Sequence, residues 1–261
     1  MNQVSGLDGL LIAASSLTSS QIELLAEVAT VFKRNIEETR SSKSDIATEL
    51  FCADFRNRLL LHHAISEAKL SKKLFEYAFA SSCRFTGRSA SITTSDTHAG
   101  ADVVVDNIAF SLKTEACKSI RANSITISKF SEGRWIQQAS SLEELARETT
   151  TRIPRQLKNY ARIGVLRAHS LADLKVKYEL VEIPVAVLRL VAGLTADDFS
   201  PRTPQGGSTA RVLRKGLPVF TLRLDGSDGK VSLTNLDLAL CRVHATWTVP
   251  VVGVDSVEEV I

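Results

Sequence analysis

An aspartate, a serine and a lysine are brought together by the stretch GADVVVDNIAFSLKTE, residues 100–115. Val103 to Val105 and Ile108 to Leu112 are apolar and β-branched enough to form strands, and Asp106-Asn107 between them suits the two positive-φ positions of a type I′ turn. A two-residue turn fixes the register, so Val104 faces Ala109 and Asp102 lies across from Ser111. Side chains alternate along a strand, which puts Ser111 and Lys113 on the face of Asp102 and sends Ile108, Phe110 and Leu112 toward a core. A carboxylate can hold Mg²⁺ and leave positions for water and phosphate oxygens, while a nearby ammonium can help generate hydroxide or stabilise a pentacovalent phosphorane. The trio therefore suits metal-dependent phosphodiester hydrolysis; an ordinary polar sheet face would show the same parity.

An aspartate at the start of one strand and an acid-x-Lys tripeptide inside the next make up the PD-(D/E)xK nuclease motif, and GADVVVDNIAFSLKTE resembles its form in type II restriction endonucleases. A second stretch, RIGVLRAHSLADLKVKYELVEIPVAVL (162–188), is similar to the later core of such enzymes, where two further strands precede a helix introduced by a proline. The resemblance implies a Mg²⁺ cofactor, for which Mn²⁺ can substitute, and double-stranded DNA cut at a short specific sequence. It also implies a homodimer, since a two-fold protein reads a palindromic site and places one active centre on each strand.

One position departs from the family pattern. Where Asp or Glu normally precedes x-Lys, this chain has Ser111, which cannot replace a carboxylate as a Mg²⁺ ligand. Some Ser-x-Lys restriction enzymes take the missing acid from a later element, which points to Glu132 in KFSEGRWI, beside Arg134 and Trp135; a surface glutamate paired with Arg134 is the plainer reading. Glu115 continues the Ser111-Lys113 face but lies about 6–7 Å beyond Lys113 at strand rise. Glu76, in the helix-like SKKLFEYAFASS, matches the helical glutamate with which many nucleases of this superfamily bind metal. His98 stands close enough to Asp102 in sequence to touch substrate, although a loop histidine is ordinarily solvated.

The 261 residues, 44% of them hydrophobic, suit one large α/β unit with a real core. No apolar run approaches the ~18 residues that span a bilayer, and no basic region followed by a cleavable apolar one opens the chain, so a cytoplasmic location is expected. Cys52, Cys83, Cys117 and Cys241 form no C-x-x-C pair, which argues against structural zinc and a disulfide framework. Phosphate-binding glycine loops of the G-x-x-x-x-G-K-[ST] and G-x-G-x-x-G types are missing, as is a G-x-S-x-G elbow, so no nucleotide cofactor is expected.

The expected architecture is α/β: a central mixed sheet flanked by helices, restriction-endonuclease-like, with a helical N-terminal part and a β-rich C-terminal part. Residues 1–82 read as helical, with a capping box at Ser20-x-x-Glu23, a core-facing stripe of Ile22, Leu25, Val28 and Phe32, a second helix over about 45–65 and a third over 71–79. Residues 83–192 mix strands with helices as the catalytic core, including a helix near 142–148 and strands near 124–130, 163–166 and 178–181. Residues 193–261 add a long loop, a hairpin through DGSDGK and a strand near 243–249. The three parts read as one continuous globular unit.

Charge is concentrated locally. Residues 151–223 hold thirteen Lys or Arg against five Asp or Glu, whereas 224–261 hold two against six. Arg152, Arg155, Lys158 and Arg162, on a short helix expected to begin near Pro154, are candidates for phosphate contact. Arg202, Gln205, Ser208, Arg211, Arg214 and Lys215, on the expected exposed loop SPRTPQGGSTARVLRKG, are candidates for reading bases, since Arg pairs with guanine and Gln with adenine. Asp102 with Glu132 or Glu76 would hold the metal, Ser111 would line the site and Lys113 would position or activate the attacking water. Two other readings fit the same residues: a structure-specific repair or recombination nuclease on this fold, and a catalytically inactive DNA-binding protein whose site was lost at Ser111.

Overall fold

The computed structural model describes residues 6–93 and 100–251. In chain order these form α1 (Gly6–Ala14), α2 (Ser19–Val31), β1 (Glu37–Arg40), α3 (Glu49–Ile65), α4 (Lys72–Phe85), β2 (Ala90–Ile92), β3 (Val103–Val105), β4 (Ile108–Glu115), β5 (Ser124–Glu132), α5 (Leu142–Gln156), β6 (Arg162–Leu171), β7 (Lys175–Ile183), α6 (Val185–Leu188), β8 (Ser208–Arg214), β9 (Leu217–Asp225), β10 (Lys230–Asp237) and β11 (Arg242–Pro250). A seven-stranded mixed sheet runs β1-β11-β7-β6-β4-β3-β2, and a four-stranded antiparallel sheet runs β5-β10-β9-β8. Within the larger sheet only β4 and β6 are parallel. Such a pair needs a long crossover, here supplied by β5 and α5.

Alternation decides what each face of the large sheet meets. Phe110, Leu112, Leu166, Ala168, Tyr178 and Leu180 join a core with α3 and α4, whereas Ile163, Val165, Val181 and Ile183 join a second core with α5 and the smaller sheet. The first core is aromatic: Phe51 stacks on Phe55, Phe55 packs against Trp247 of β11 with centroids 4.9 Å apart, and Phe79 meets Phe110. Helices α3 and α4 are started by Thr48 and Ser71, whose hydroxyls accept from the amides of Phe51 and Leu74; each satisfies an orphan donor of the first turn.

The β3–β4 hairpin has the expected form. Asp106 and Asn107 sit at φ +48° and +65°, and Val104 opposes Ala109. Elsewhere the chain departs from expectation. The capping box of α2 is Thr18 with Gln21, two residues before Ser20 and Glu23. Pro154 lies inside the last turn of α5 and opens no new helix; α5 continues from 148 to Gln156. Part of the expected long loop is strand β8, which pairs with β9. The segments 1–82, 83–192 and 193–261 interleave: β1 and β11 complete the large sheet, and β5 completes the small one. Among the described residues no helix is long and apolar enough to cross a membrane.

Candidate active site

Strand β3 has three residues and β4 eight, so beyond Phe110 one edge of β4 runs on past its partner. Asp102 covers that edge. Its amide donates to the Phe110 carbonyl at 2.7 Å, while its Oδ2 accepts from the Leu112 amide at 2.6 Å and from Ser111 Oγ at 3.3 Å. The amide-to-carboxylate bond is charge-assisted and fixes the carboxylate beside the strand. Just upstream, Gly100 adopts φ +111°, and a Cβ there would stand 2.9 Å from the Tyr160 ring. Both its backbone and the closeness of that ring require glycine.

The second carboxylate comes from α4. Glu76 is 6% exposed and faces the hairpin through Lys72, whose Nζ lies 2.7 Å from Asp102 Oδ1 and 3.0 Å from Glu76 Oε1. Lys73 adds a contact to Glu76 Oε2 at 3.4 Å. Burial works against the Lys72 charge, but hydrogen bonds and Coulomb attraction from Asp102 and Glu76 outweigh it and raise the pKa. Lys113 behaves oppositely: burial pushes its pKa down, Asp102 and Glu76 only partly counter this, and the Lys72 and Lys129 charges add to the fall. The site thus holds two carboxylates, a buried hydroxyl and two ammoniums of opposite tendency.

Oxygen ligands from two carboxylates suit a hard divalent cation. In this structure a single positive charge, the Lys72 ammonium, already bridges them, so the donor set and its spacing fit a cation. A second group, Asp45, Glu182 and His244, has ligand atoms within 4.8 Å of one another, but it is filled differently. The Arg162 guanidinium reaches Asp45 Oδ2 at 2.5 Å and also bonds Glu182, holding the Asp45 carboxyl down to about 2. A metal there would have to displace an arginine.

The structure brings together Asp102, Ser111, Lys113 and Glu76. Glu132 ends β5 with its side chain 69% exposed and pairs with Lys129 at 2.6 Å, with no bond to Asp102, Ser111, Lys113 or Glu76 among the described residues. Glu115 is committed elsewhere: its Oε2 accepts from Arg167 at 2.7 Å and its Oε1 from the Thr126 amide. Arg167 is fully buried and also binds Glu179 and the Arg121 and Ser124 carbonyls, which ties β4, β6 and β7 to the start of β5. His98 lies outside the described residues.

The basic candidates divide into engaged and open groups. Arg162 is held by Asp45 and Glu182. Arg202 donates to the carbonyls of Ile136, Ala139 and Gly206, and Ser208 is buried, its hydroxyl bonding the Ser200 carbonyl. Arg152 pairs with Glu148 and lies over the Trp135 ring. Arg155, Lys158, Gln205, Arg211, Arg214 and Lys215 are exposed, and none of these cations has an ion pair among the described residues. Lys215 and Gly216, at φ +52° and +77°, form the two-residue turn of the β8–β9 hairpin, whose tip carries Arg214 and Lys215. Lys72 was not singled out by sequence, although its spacing of one helical turn from Glu76 is a visible signal for a paired charge.

A mixed central sheet with helices packed on it and a second sheet alongside has the restriction-endonuclease-like architecture. The chain belongs to the SmaI family of type II site-specific deoxyribonucleases, whose family model matches residues 10–249. It is 34% identical over 220 residues to the type II restriction enzyme SmaI of Serratia marcescens, an alignment covering 82% of this chain and 85% of that relative. No solved structure matches the chain. The protein is therefore an enzyme of the type II restriction class.

Proposed function

We propose that the protein hydrolyses phosphodiesters of double-stranded DNA at a short specific sequence with Mg²⁺, or Mn²⁺ in its place, as cofactor, and that it acts as a homodimer in the cytoplasm. The observation that carries this reading is the shared hold of Asp102 and Glu76 on one cation, beside Lys113 on the same hairpin. Asp102 and Glu76 would hold the metal, which supplies charge to polarise the scissile phosphate and to acidify water. Glu76 takes the place of the carboxylate missing at Ser111, in preference to the exposed Glu132. Ser111 lines the site and steadies Asp102 through its hydroxyl. Lys113, with its depressed pKa, is suited to exchange a proton with the attacking water or to neutralise charge on the phosphate.

DNA contact falls to the open cations. Arg155 and Lys158 at the end of α5 neutralise phosphates, while Arg211 and Arg214 of β8 and Lys215 in the β8–β9 turn present donors from the edge and tip of that hairpin to a DNA groove. No nucleotide cofactor has a part in this scheme.

The test is incubation of the purified protein with a long DNA of known sequence in Mg²⁺, followed by sequencing of fragment ends. Discrete ends sharing one short motif are expected, with Asp102→Ala and Lys113→Ala inactive yet still binding that DNA in Ca²⁺. No cutting by the wild type in Mg²⁺ or Mn²⁺, or normal cutting by either variant, would overturn the reading.

A further inference from the structure

Strand β5 packs on β4, over the face that carries Ser111, Lys113 and Glu115, and both ends of this crossing are pinned. At the start, the Thr126 amide donates to Glu115 Oε1 at 2.8 Å. Near the end, the Ser131 hydroxyl donates to Gln156 Oε1, four residues before Tyr160, and the Ala161 amide bonds the Ala109 carbonyl at 2.9 Å. The backbone thus runs from beside Glu115 toward Ala109, which leaves Lys129 over the stretch that holds Lys113 and Ser111. Electrostatics agree: burial is the chief cause of the lowered Lys113 pKa, and the Lys129 charge adds to it. A bulge sets Lys129 apart from the regular ladder. Ile127 opposes Leu233 and Ser131 opposes Val231, so Ser128, Lys129 and Phe130 together face Ser232 alone. Ser232 Oγ donates to the Ser128 carbonyl at 2.7 Å and holds the bulge in place. Extra residues of this kind re-aim a side chain and gather beside active sites. Lys129 is exposed, and its Nζ meets Glu132 Oε1 at 2.6 Å; a pair this open to water holds weakly and readily exchanges its carboxylate for another oxygen anion.

We propose that Lys129 is a further substrate-binding residue, whose ammonium takes a phosphate of the DNA backbone beside Lys113, and that Glu132 is the counter-ion it leaves to do so. The inference rests on the reading of Asp102 and Lys113 as a DNA-cleaving site. A phosphodiester oxygen accepts the same charge-assisted hydrogen bond as a carboxylate, so DNA can replace Glu132 without stranding either charge; the freed carboxylate is exposed and stays hydrated. Glu132 thereby has a part other than that of a metal ligand: it competes with DNA for Lys129.

Opposite effects of the two partners test it. Fluorescence anisotropy of a labelled duplex containing the motif that the wild type cuts, in Ca²⁺ over a series of salt concentrations, reads affinity and its salt dependence. K129Q should bind about 3–10-fold more weakly, with a log–log salt slope shallower by about one, the share of a single phosphate contact. E132Q removes the competitor, so it should bind at least ~2-fold more tightly and still cut in Mg²⁺. A pair that served structure alone would be broken equally by both substitutions and would move both variants the same way, in thermal midpoint as in binding. K129Q with wild-type affinity and slope, E132Q binding no more tightly than the wild type, or E132Q that no longer cuts because Glu132 holds the metal would each overturn the inference and leave the nuclease reading standing. A wild type that cuts no DNA would remove both.

Discussion

Lys72 Nζ stands 2.7 Å from Asp102 Oδ1, and the same nitrogen is 3.0 Å from Glu76 Oε1. One ammonium thus joins an acid on the open edge of β4 to an acid on α4. Without a cation between them the two carboxylates would repel each other in a partly buried setting, so the lysine stabilises the arrangement that a metal would also stabilise. On the proposed function, metal and lysine would compete for one place.

Lys72→Met should therefore bind divalent metal more tightly. An ion pair of this exposure contributes about 1 kcal/mol, and its removal as a competitor corresponds to roughly fivefold in affinity. Calorimetric titration with Mg²⁺ or Ca²⁺ in the absence of DNA reads this directly. Affinity equal to or below that of the wild type would mean that Lys72 is not displaced.

Ser111→Asp restores the motif acid at a position 1% exposed, beside Asp102. In EDTA the added charge should lower the thermal midpoint, through like-charge repulsion and burial. Saturating Mg²⁺ should recover the loss, since three acids hold the ion better than two. Ser111→Ala, which removes only a 3.3 Å hydrogen bond, should cost about 1 kcal/mol or less. A midpoint for Ser111→Asp that ignores metal would separate Ser111 from the metal site.

Gly100→Ala should destabilise the protein by roughly 1–3 kcal/mol, because it combines a strained φ with a contact against the Tyr160 ring. Gly193→Ala is the control, as a Cβ there meets nothing within 4 Å. Denaturant melts of the two variants should differ by that amount. Equal midpoints would show that the approach to Asp102 tolerates another backbone.

Acid should weaken the fold in two steps. His63 is buried, and burial lowers its pKa from 6.5 to about 4. Its Nδ1 donates to the Ser66 carbonyl and its Nε2 accepts from Tyr178 Oη, which satisfies the neutral ring. A depressed histidine lends stability that is complete above 6.5 and lost as pH falls through about 4. Glu179 is held down from 4.5 to about 2 by the hydrogen bond to His169, with Lys177 and Arg167 assisting against burial. Its contribution is complete above 4.5 and disappears toward pH 2. Thermal midpoints between pH 7 and pH 2.5 should fall from about 6.5 downward, and His63→Gln should flatten the upper step alone; an unchanged upper step would assign it to another group.

Local chemistry made the active hairpin legible. The turn, the register and the polar face of Asp102, Ser111 and Lys113 follow from residues within fifteen positions of one another, and the structure reproduces the turn and the pairing. Lys72 could not be assigned its role that way, because its partner Asp102 lies thirty residues away and only the docking of α4 joins them. β1, with the sequence EETR and every residue exposed, has no apolar alternation; it is a strand because β11 offers it an edge. Arg202 and Ser208 read as open loop residues, yet backbone carbonyls capture both, an outcome that depends on how the chain folds back on itself. The stripe on α2 was legible as apolar, but what covers it is not encoded in periodicity.

Strand β11 lies between β1 and β7, with Trp247 fully buried against Phe55, although it is the last of the described strands. Domains assemble in the order in which they leave the ribosome, but this sheet cannot join β1 to β7 until residues 242–250 have been synthesised. A nascent chain arrested before Arg242 lacks both that join and the tryptophan that fills the aromatic core. The order of synthesis thereby delays completion of the large sheet until residues 242–250 have emerged, and fragments terminated before them are left without it.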